Sequence, residues 1–322
     1  MRTLYIHVGP AKTGTSAIQH ALLTHDGSVV IYPQVGLSRG GSHNNLVLNF
    51  FSDKSRSDAV KADPRKLLDE LRRAFAASDR NVVISSEALF GRPGIRRFIE
   101  ALTQQFSEPV EVELIVVCRE HFGRIASAYN QRVKDVGRFE RDGPDDFLRR
   151  QNLNFGYAIL VGKLRQMGKM VSVLNYHPPD NLVERFLRHI GFPDDQIPPS
   201  ELRNVSLSSK ALIAVLAANN VATSADDRER YFTVLRKMRR FFGPSGFIFG
   251  QEAALEASRR LQADRDLLEA EYSIVLPARD LTAQDGGLYL NEGELAEISA
   301  VTGELGSEGK AIAEFASRFQ RP

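Results

Sequence analysis

One cysteine, Cys118, stands in a chain of 322 residues. That scarcity excludes an intrachain disulfide and any zinc site built from several thiolates. The residue lies in the apolar run VELIVVCRE, where a buried, inert thiol is expected. An excess of one charge is also lacking. Lys and Arg number 42 against 40 Asp and Glu, a formal net charge of +2. This gives no general case for nucleic-acid or membrane binding and leaves room only for a local basic pocket. No apolar run is long enough to span a bilayer. The opening MRTLYIHVGP is too short in its apolar part, and too strand-like, for a signal peptide, so a cytoplasmic location is expected. There is no fixed-period repeat and no low-complexity segment. His121, His177 and His189 show no metal-ligand spacing and read as structural; no metal is expected.

What remains is an ordinary globular composition, 43% hydrophobic and 25% charged. The pattern along it alternates. A short β-rich run, Thr3 to Val8, ends at Gly9-Pro10, and a helix is expected from Thr15 to about Leu23. The strand VVIYP, a glycine-rich loop QVGLSRGGSHNN and a short helix near Leu46 to Phe51 follow. Pro64 suits a helix first turn and opens RKLLDELRRAFAAS. NVVIS is the next strand, then comes a helix around Gly94 to Gln105. VEVELIVVC reads as a central strand buried on both faces. A helix from about Phe122 to Asp135, the strand MVSVLNY and the helix NLVERFLRHIG, stopped by Gly191, complete this part. Such alternation predicts an α/β fold, a parallel sheet flanked by helices. From about Ser206 strands vanish. SLSSKALIAVLAANN, RERYFTVLRKMRRFF and QEAALEASRRLQADRDLLEAEY all read as helices, the second with a basic, solvated face or one that meets substrate. The tail after Pro277 is weakly patterned. The expected division is an α/β core over 1–200 and a helical C-terminal extension over 201–322, packed on that core. The acidic pairs Asp145-Asp146 and Asp226-Asp227 are expected to cap or precede helices.

The first strand-to-helix junction carries chemistry. HVGPAKTGTSAIQH has Gly9 and Gly14 at the spacing of a nucleoside-triphosphate loop, G-x-x-x-x-G-K-[ST]. Thr15 stands where the lysine belongs, and Lys12 lies two places before Gly14. Backbone N–H groups and the dipole at a helix start form an anion site. Thr13, Thr15 and Ser16 would add hydroxyl donors, Lys12 a mobile charge, and Gly14 close backbone approach. The plain alternative is a βα turn capped by Thr15. An ATP loop is the weaker reading, since the β/γ-phosphate lysine is displaced and no strand-end residue reads as a Mg²⁺-binding aspartate.

GPAKTGTS resembles the P-K-T-G-T-[TS] loop of sulfotransferases that use 3'-phosphoadenosine 5'-phosphosulfate (PAPS), with Ala11 inserted between Pro10 and Lys12. A second segment, REHFGRIASAYNQ, resembles that family's later signature, Arg, seven residues, Ser, then x-Tyr; Arg119, Ser127 and Tyr129 fit. An arginine fork at a strand end and a helix serine can converge on one phosphate, at roughly 1.5–3 kcal/mol per charge-assisted bond. The resemblance implies that this is the 3'-phosphate, which ATP lacks. It extends over roughly the first 195 residues, and VSVLNYH and NLVERFLRHIGF are similar to a late strand and helix of bacterial sulfotransferases acting on carbohydrates.

The resemblance implies a P-loop-like fold and in-line, metal-independent sulfuryl transfer from PAPS to a hydroxyl of a carbohydrate or glycolipid, leaving adenosine 3',5'-bisphosphate. Pro10, Ala11, Lys12, Thr13, Gly14, Thr15 and Ser16 would hold the 5'-phosphosulfate, with Lys12 on the bridging oxygen, and Arg119 and Ser127 the 3'-phosphate. Two residues are candidate bases. Glu87 lies just beyond VVIS; its bland reading is a helix-starting carboxylate after Ser85 or Ser86. His43, in GGSHNN, has a pKa class suited to neutral base chemistry; its bland reading is an exposed loop histidine, and with Asn44 and Asn45 it could instead line an acceptor pocket. The competing functions are a small-molecule kinase using ATP and Mg²⁺, and a non-catalytic nucleotide- or glycan-binding module.

Overall fold

The computed structural model describes residues 1–52, 61–135, 137, 139–151, 153, 156–176, 181–198, 206–279, 281 and 286–320. In chain order the elements are β1 (Thr3–His7), α1 (Thr15–Thr24), β2 (Val30–Ile31), α2 (Asn44–Phe50), α3 (Pro64–Ala76), β3 (Asn81–Ser85), α4 (Ile95–Thr103), β4 (Glu111–Arg119), α5 (His121–Lys134), α6 (Pro144–Arg149), α7 (Tyr157–Arg165), β5 (Met170–Tyr176), α8 (Leu182–His189), α9 (Ser209–Val221), α10 (Ala225–Leu235), α11 (Gln251–Tyr272), α12 (Glu292–Thr302) and α13 (Ser307–Ser317). A short 3₁₀ turn, Glu87–Leu89, follows β3.

The chain forms two compact units, and their boundary is not a single cut. The first comprises Met1–Glu120, Phe155–Leu202 and Asp264–Leu276; the second His121–Asn154, Arg203–Ala263 and Pro277–Pro322. The sequence division near residue 200 meets one of these crossings. Segments 121–154 and 264–276 lie on the other side of it, because packing rather than chain order sets the cores.

The first unit is an α/β layer structure around a five-stranded sheet in the order β2-β3-β1-β4-β5, every pair parallel. Period-two alternation divides its apolar side chains between two faces. Leu4, Ile6, Val82, Ile84, Leu114, Val116 and the buried Cys118 share one core with Leu71 and Phe75 of α3, Phe98 of α4 and Val161 of α7. Val83, Ile115 and Val117 meet Ile18 and Leu22 of α1 and Phe186 and Leu187 of α8 in another. Each fully buried aliphatic side chain contributes roughly 1.5–3 kcal/mol. Since β2 and β3 lie on one side of β1 and β4 and β5 on the other, connections diverge from β1. In parallel sheets, ligand sites form outside the carboxyl ends of the strands at such a point.

The second unit is helical. The apolar helix α9 lies in its core with Phe122 and Tyr129 of α5, Tyr231 of α10, Ile298 of α12 and Ile312 of α13. Helices α12 and α13 occupy the weakly patterned tail. Asp145 and Asp146 fall in the first turn of α6. Asp227 completes a capping box with Ser224 at the start of α10. The basic segment is corrected in one respect. The helix ends at Leu235, and Arg240 adopts φ 49, so much of the basic run lies beyond it. Its charges are mostly solvated, Arg230, Arg236, Lys237, Arg239 and Arg240 being exposed, and some pair with acidic side chains. Lys237 Nζ donates to Glu304 at 2.7 Å and Arg230 to Glu308 at 2.7 Å, while Arg228 is 1% exposed and donates to Asn219 Oδ1 and the Val133 carbonyl.

Candidate active site

The loop after β1 is shaped by its own residues. Thr13, fully buried, donates its hydroxyl to the Pro10 carbonyl at 2.9 Å, closing the turn. Gly14 is the N-cap of α1 at φ 83, a left-handed conformation that favours glycine. A Cβ there would stand 2.6 Å from Leu182 Cδ2. Lys12 is left-handed as well, at φ 75, and its carbonyl accepts from the Arg119 guanidinium at 3.0 Å. Arg119 thus reaches the loop from the end of β4, with its guanidinium over the Tyr176 ring at 5.2 Å. Its backbone N–H donates to Tyr157 Oη, and the Tyr157 hydroxyl donates to its carbonyl.

No side chain caps the start of helix α1. Ala17 and Ile18 N–H donate to the Gly14 carbonyl, and the earlier first-turn N–H groups have no intrahelical acceptor by the geometry of a helix start. Pro10 is buried, while Ala11 and Ser16 are exposed. Of the three hydroxyls counted as anion donors, Thr13 and Thr15 donate inside the protein.

Thr15 makes the bond that organises the site. Its Oγ1 donates to Glu87 Oε1 at 2.7 Å, and Asn44 Nδ2 donates to Glu87 Oε2 at 3.1 Å. Each carboxylate oxygen is therefore held by a different element. Asn44 Oδ1 in turn accepts from Ser86 Oγ at 2.7 Å, and Ser86 Oγ accepts from Ala88 N–H as the cap of the 3₁₀ turn. Glu87 starts a short helical turn, as its bland reading expects, and its carboxylate meets Thr15 of the loop after β1.

His43 is neither an exposed loop histidine nor a free base. It is fully buried, with its ring edge-on to Tyr32 at 4.6 Å. Its Nδ1 accepts from Ser85 N–H at 3.2 Å, which puts the proton on Nε2, donated to the Pro33 carbonyl at 2.9 Å. Burial lowers its pKa to about 4. No ring nitrogen is left for an acceptor's proton. Asn45 Nδ2 is spent on the Leu37 carbonyl.

Sequence reasoning missed His7 and Gln19. The His7 ring is 1% exposed, with Nδ1 2.9 Å from Ser85 Oγ, which also accepts from Gln19 Nε2 at 3.1 Å. Burial lowers its pKa to about 4, opposed in part by the Glu87 carboxylate. His7 Nε2 meets no partner among the described residues and lies 2.9 Å from where a Cβ on Gly9 would stand. A polar residue closing an apolar strand just before a glycine turn was the available signal.

Ser127 lies on α5, half-buried, in the second unit. Tyr129 donates to the Asp142 carbonyl at 3.0 Å, and burial raises its pKa. His189 Nε2 is 2.5 Å from Glu113 Oε1; His177 lies outside the described residues. Among the described residues no group of three His, Cys, Asp or Glu side chains could hold a metal ion, and no helix is long and apolar enough to cross a membrane.

Fold and loop together define an α/β protein with a glycine-capped strand-to-helix loop at the divergence point of a parallel sheet. No family model matches the chain and no curated protein matches it. Among solved structures it is similar to a sulfotransferase from Alicyclobacillus acidocaldarius, with 18% identity and TM-score 0.43, over 73% of this chain and 96% of that one. It is also similar to an unliganded sugar kinase from a Janibacter species, with 15% identity and TM-score 0.28, over 62% of this chain and 99% of that one. Neither similarity is strong enough to assign an activity, so function rests on the site's own residues.

Proposed function

We propose that this chain is a PAPS-dependent sulfotransferase acting on a hydroxyl of a carbohydrate or glycolipid. The observation that carries the reading is the 2.7 Å bond from Thr15 to Glu87, which ties a carboxylate to the rim of the anion loop. In an ATP loop position 15 would be lysine, and the Mg²⁺-binding hydroxyl would fall at Ser16. Here threonine occupies the lysine position and engages a carboxylate, and the lysine lies at position 12 instead, which favours sulfuryl over phosphoryl transfer.

In this reading the N–H groups at the start of α1, Ser16 and Lys12 hold the 5'-phosphosulfate. Arg119 and Ser127 are assigned the 3'-phosphate on the sequence pattern. The acceptor oxygen attacks sulfur in line, and its bond to sulfur forms as the bond from sulfur to the phosphate bridging oxygen breaks. The electron pair stays on adenosine 3',5'-bisphosphate, where Lys12 neutralises the growing charge. The hydroxyl proton passes to Glu87. Lys12 and the helix start supply the positive charge the leaving group requires. The test is ligand-induced stabilisation: adenosine 3',5'-bisphosphate raises the melting temperature more than ATP or AMP does. Equal shifts with all three contradict the reading.

A further inference from the structure

Two buried histidines grip the residue that precedes the Ser86-Glu87 turn. Ser85 N–H donates to His43 Nδ1, and its carbonyl accepts from His43 N–H at 2.8 Å. Ser85 Oγ faces His7 Nδ1, and the next residue, Ser86, donates its N–H to the His7 carbonyl at 3.1 Å. His7 and Ser85 are direct partners in the β1–β3 ladder. Each histidine is anchored from behind. Pro33 and Tyr32 hold the His43 ring, and Phe186 lies 5.2 Å from the His7 ring. Two residues beyond Ser85 stands Glu87, and one residue beyond His43 stands Asn44, which holds Glu87 Oε2 and Ser86 Oγ. The two imidazoles therefore hold Ser85, which leads into the segment that carries the carboxylate, and the backbone of His43 leads into the amide that orients it.

We infer that His7 and His43 are positioning residues: a neutral imidazole pair that clamps Ser85 and so fixes the Glu87 carboxylate against Thr15. Neither ring touches substrate in this scheme. The inference rests on the assignment of Glu87 as the base. The grip itself uses specific lone pairs. His43 holds Ser85 N–H only through an unprotonated Nδ1, so the clamp requires the Nε2–H tautomer at that position. Asparagine places an oxygen near the Nδ1 position and keeps that half of the clamp, whereas leucine fills the space and removes it.

The experiment combines ¹⁵N NMR of the full chain at neutral pH with crystal structures and bisphosphate titrations of four variants, His7→Leu, His7→Asn, His43→Leu and His43→Asn. His43 is expected as the neutral Nε2–H tautomer. In the leucine variants the Glu87 carboxylate leaves Thr15 and Asn44, and in the asparagine variants it returns. Affinity for adenosine 3',5'-bisphosphate stays within about threefold throughout, because the donor loop is not the part displaced. An Nδ1–H tautomer or an imidazolium at His43 overturns the inference. So does a Glu87 carboxylate that stays in place in both leucine variants, or one that shifts only together with a collapse of bisphosphate affinity, the mark of a general scaffold role. Should a leucine variant fail to fold, the tautomer and the matching asparagine structure still decide. Transfer of labelled sulfate by Glu87→Gln at the wild-type rate would remove Glu87 as base, while the NMR and variant structures would still report on the clamp.

Discussion

Acidification should loosen this protein through His7 and His43, and the amount follows from their burial. Both folded-state pKa values lie at about 4, lowered by burial, against roughly 6.5 in an unfolded chain. A histidine depressed in this way is neutral when folded and binds its proton on unfolding. Its contribution is complete above pH 6.5, declines as pH falls between 6.5 and 4, and is lost below 4. At pH 5 the unfolded histidine lies about 1.5 pH units below its pKa, while the folded ring is still largely neutral. Each ring then loses about 2 kcal/mol relative to neutral pH, and the pair about 4 kcal/mol. Both rings are fully buried, so solvent screening does not dilute the figure. Set against a total of roughly 5–15 kcal/mol for a folded protein, the loss is readily measured. Urea unfolding of the wild type, His7→Asn, His43→Asn and the double variant at pH 7 and pH 5 is the assay. Each single variant should cut the pH-induced loss by about 2 kcal/mol, and the double variant should remove most of the pair's share. An identical pH dependence in all four proteins would refute the assignment of buried, neutral imidazoles.

Other perturbations follow from the same contacts. Gly9→Ala places a Cβ 2.9 Å from His7 Nε2 and 3.2 Å from Thr15 Cγ2, an overpacking expected to cost about 1–3 kcal/mol, measured as a lower melting temperature. Arg228→Lys cannot satisfy both Asn219 Oδ1 and the Val133 carbonyl with a planar fork, and should destabilise the second unit by about 1–3 kcal/mol in urea titration. Lys12→Ala should slow sulfate transfer from labelled PAPS by about 10²–10³, whereas Arg119→Ala should weaken bisphosphate binding, read by titration calorimetry.

The parts legible in the sequence are those where one physical signal dominates. NVVIS and MVSVLNY are short apolar runs between breakers, and each coincides with its strand. The register of GPAKTGTS after β1 needed only a strand, a glycine turn and a helix start. The weakly patterned tail hid α12 and α13, although Asn291 three residues before Glu294 was a capping box open to reading. Helix α10 was drawn too long because a basic run looks helical until its acidic partners are known. The site was half legible for a different reason. The Thr15–Glu87 bond joins residues 72 apart in the chain, and no local pattern reveals it. The spent hydroxyls of Thr13 and Thr15 were invisible for the same reason. His43 looked exposed because its loop is polar and rich in glycine, yet Tyr32, Pro33 and Ser85 enclose it.

The central claim is that the loop after β1 binds a nucleotide carrying a 3'-phosphate, and ligand-induced stabilisation tests it most directly. At a ligand concentration of about 100 times its dissociation constant, adenosine 3',5'-bisphosphate should add roughly 2.7 kcal/mol to stability, with ATP and AMP well below that at the same concentration. A shift by ATP as large as that by the bisphosphate, or no shift with the bisphosphate, would contradict the account.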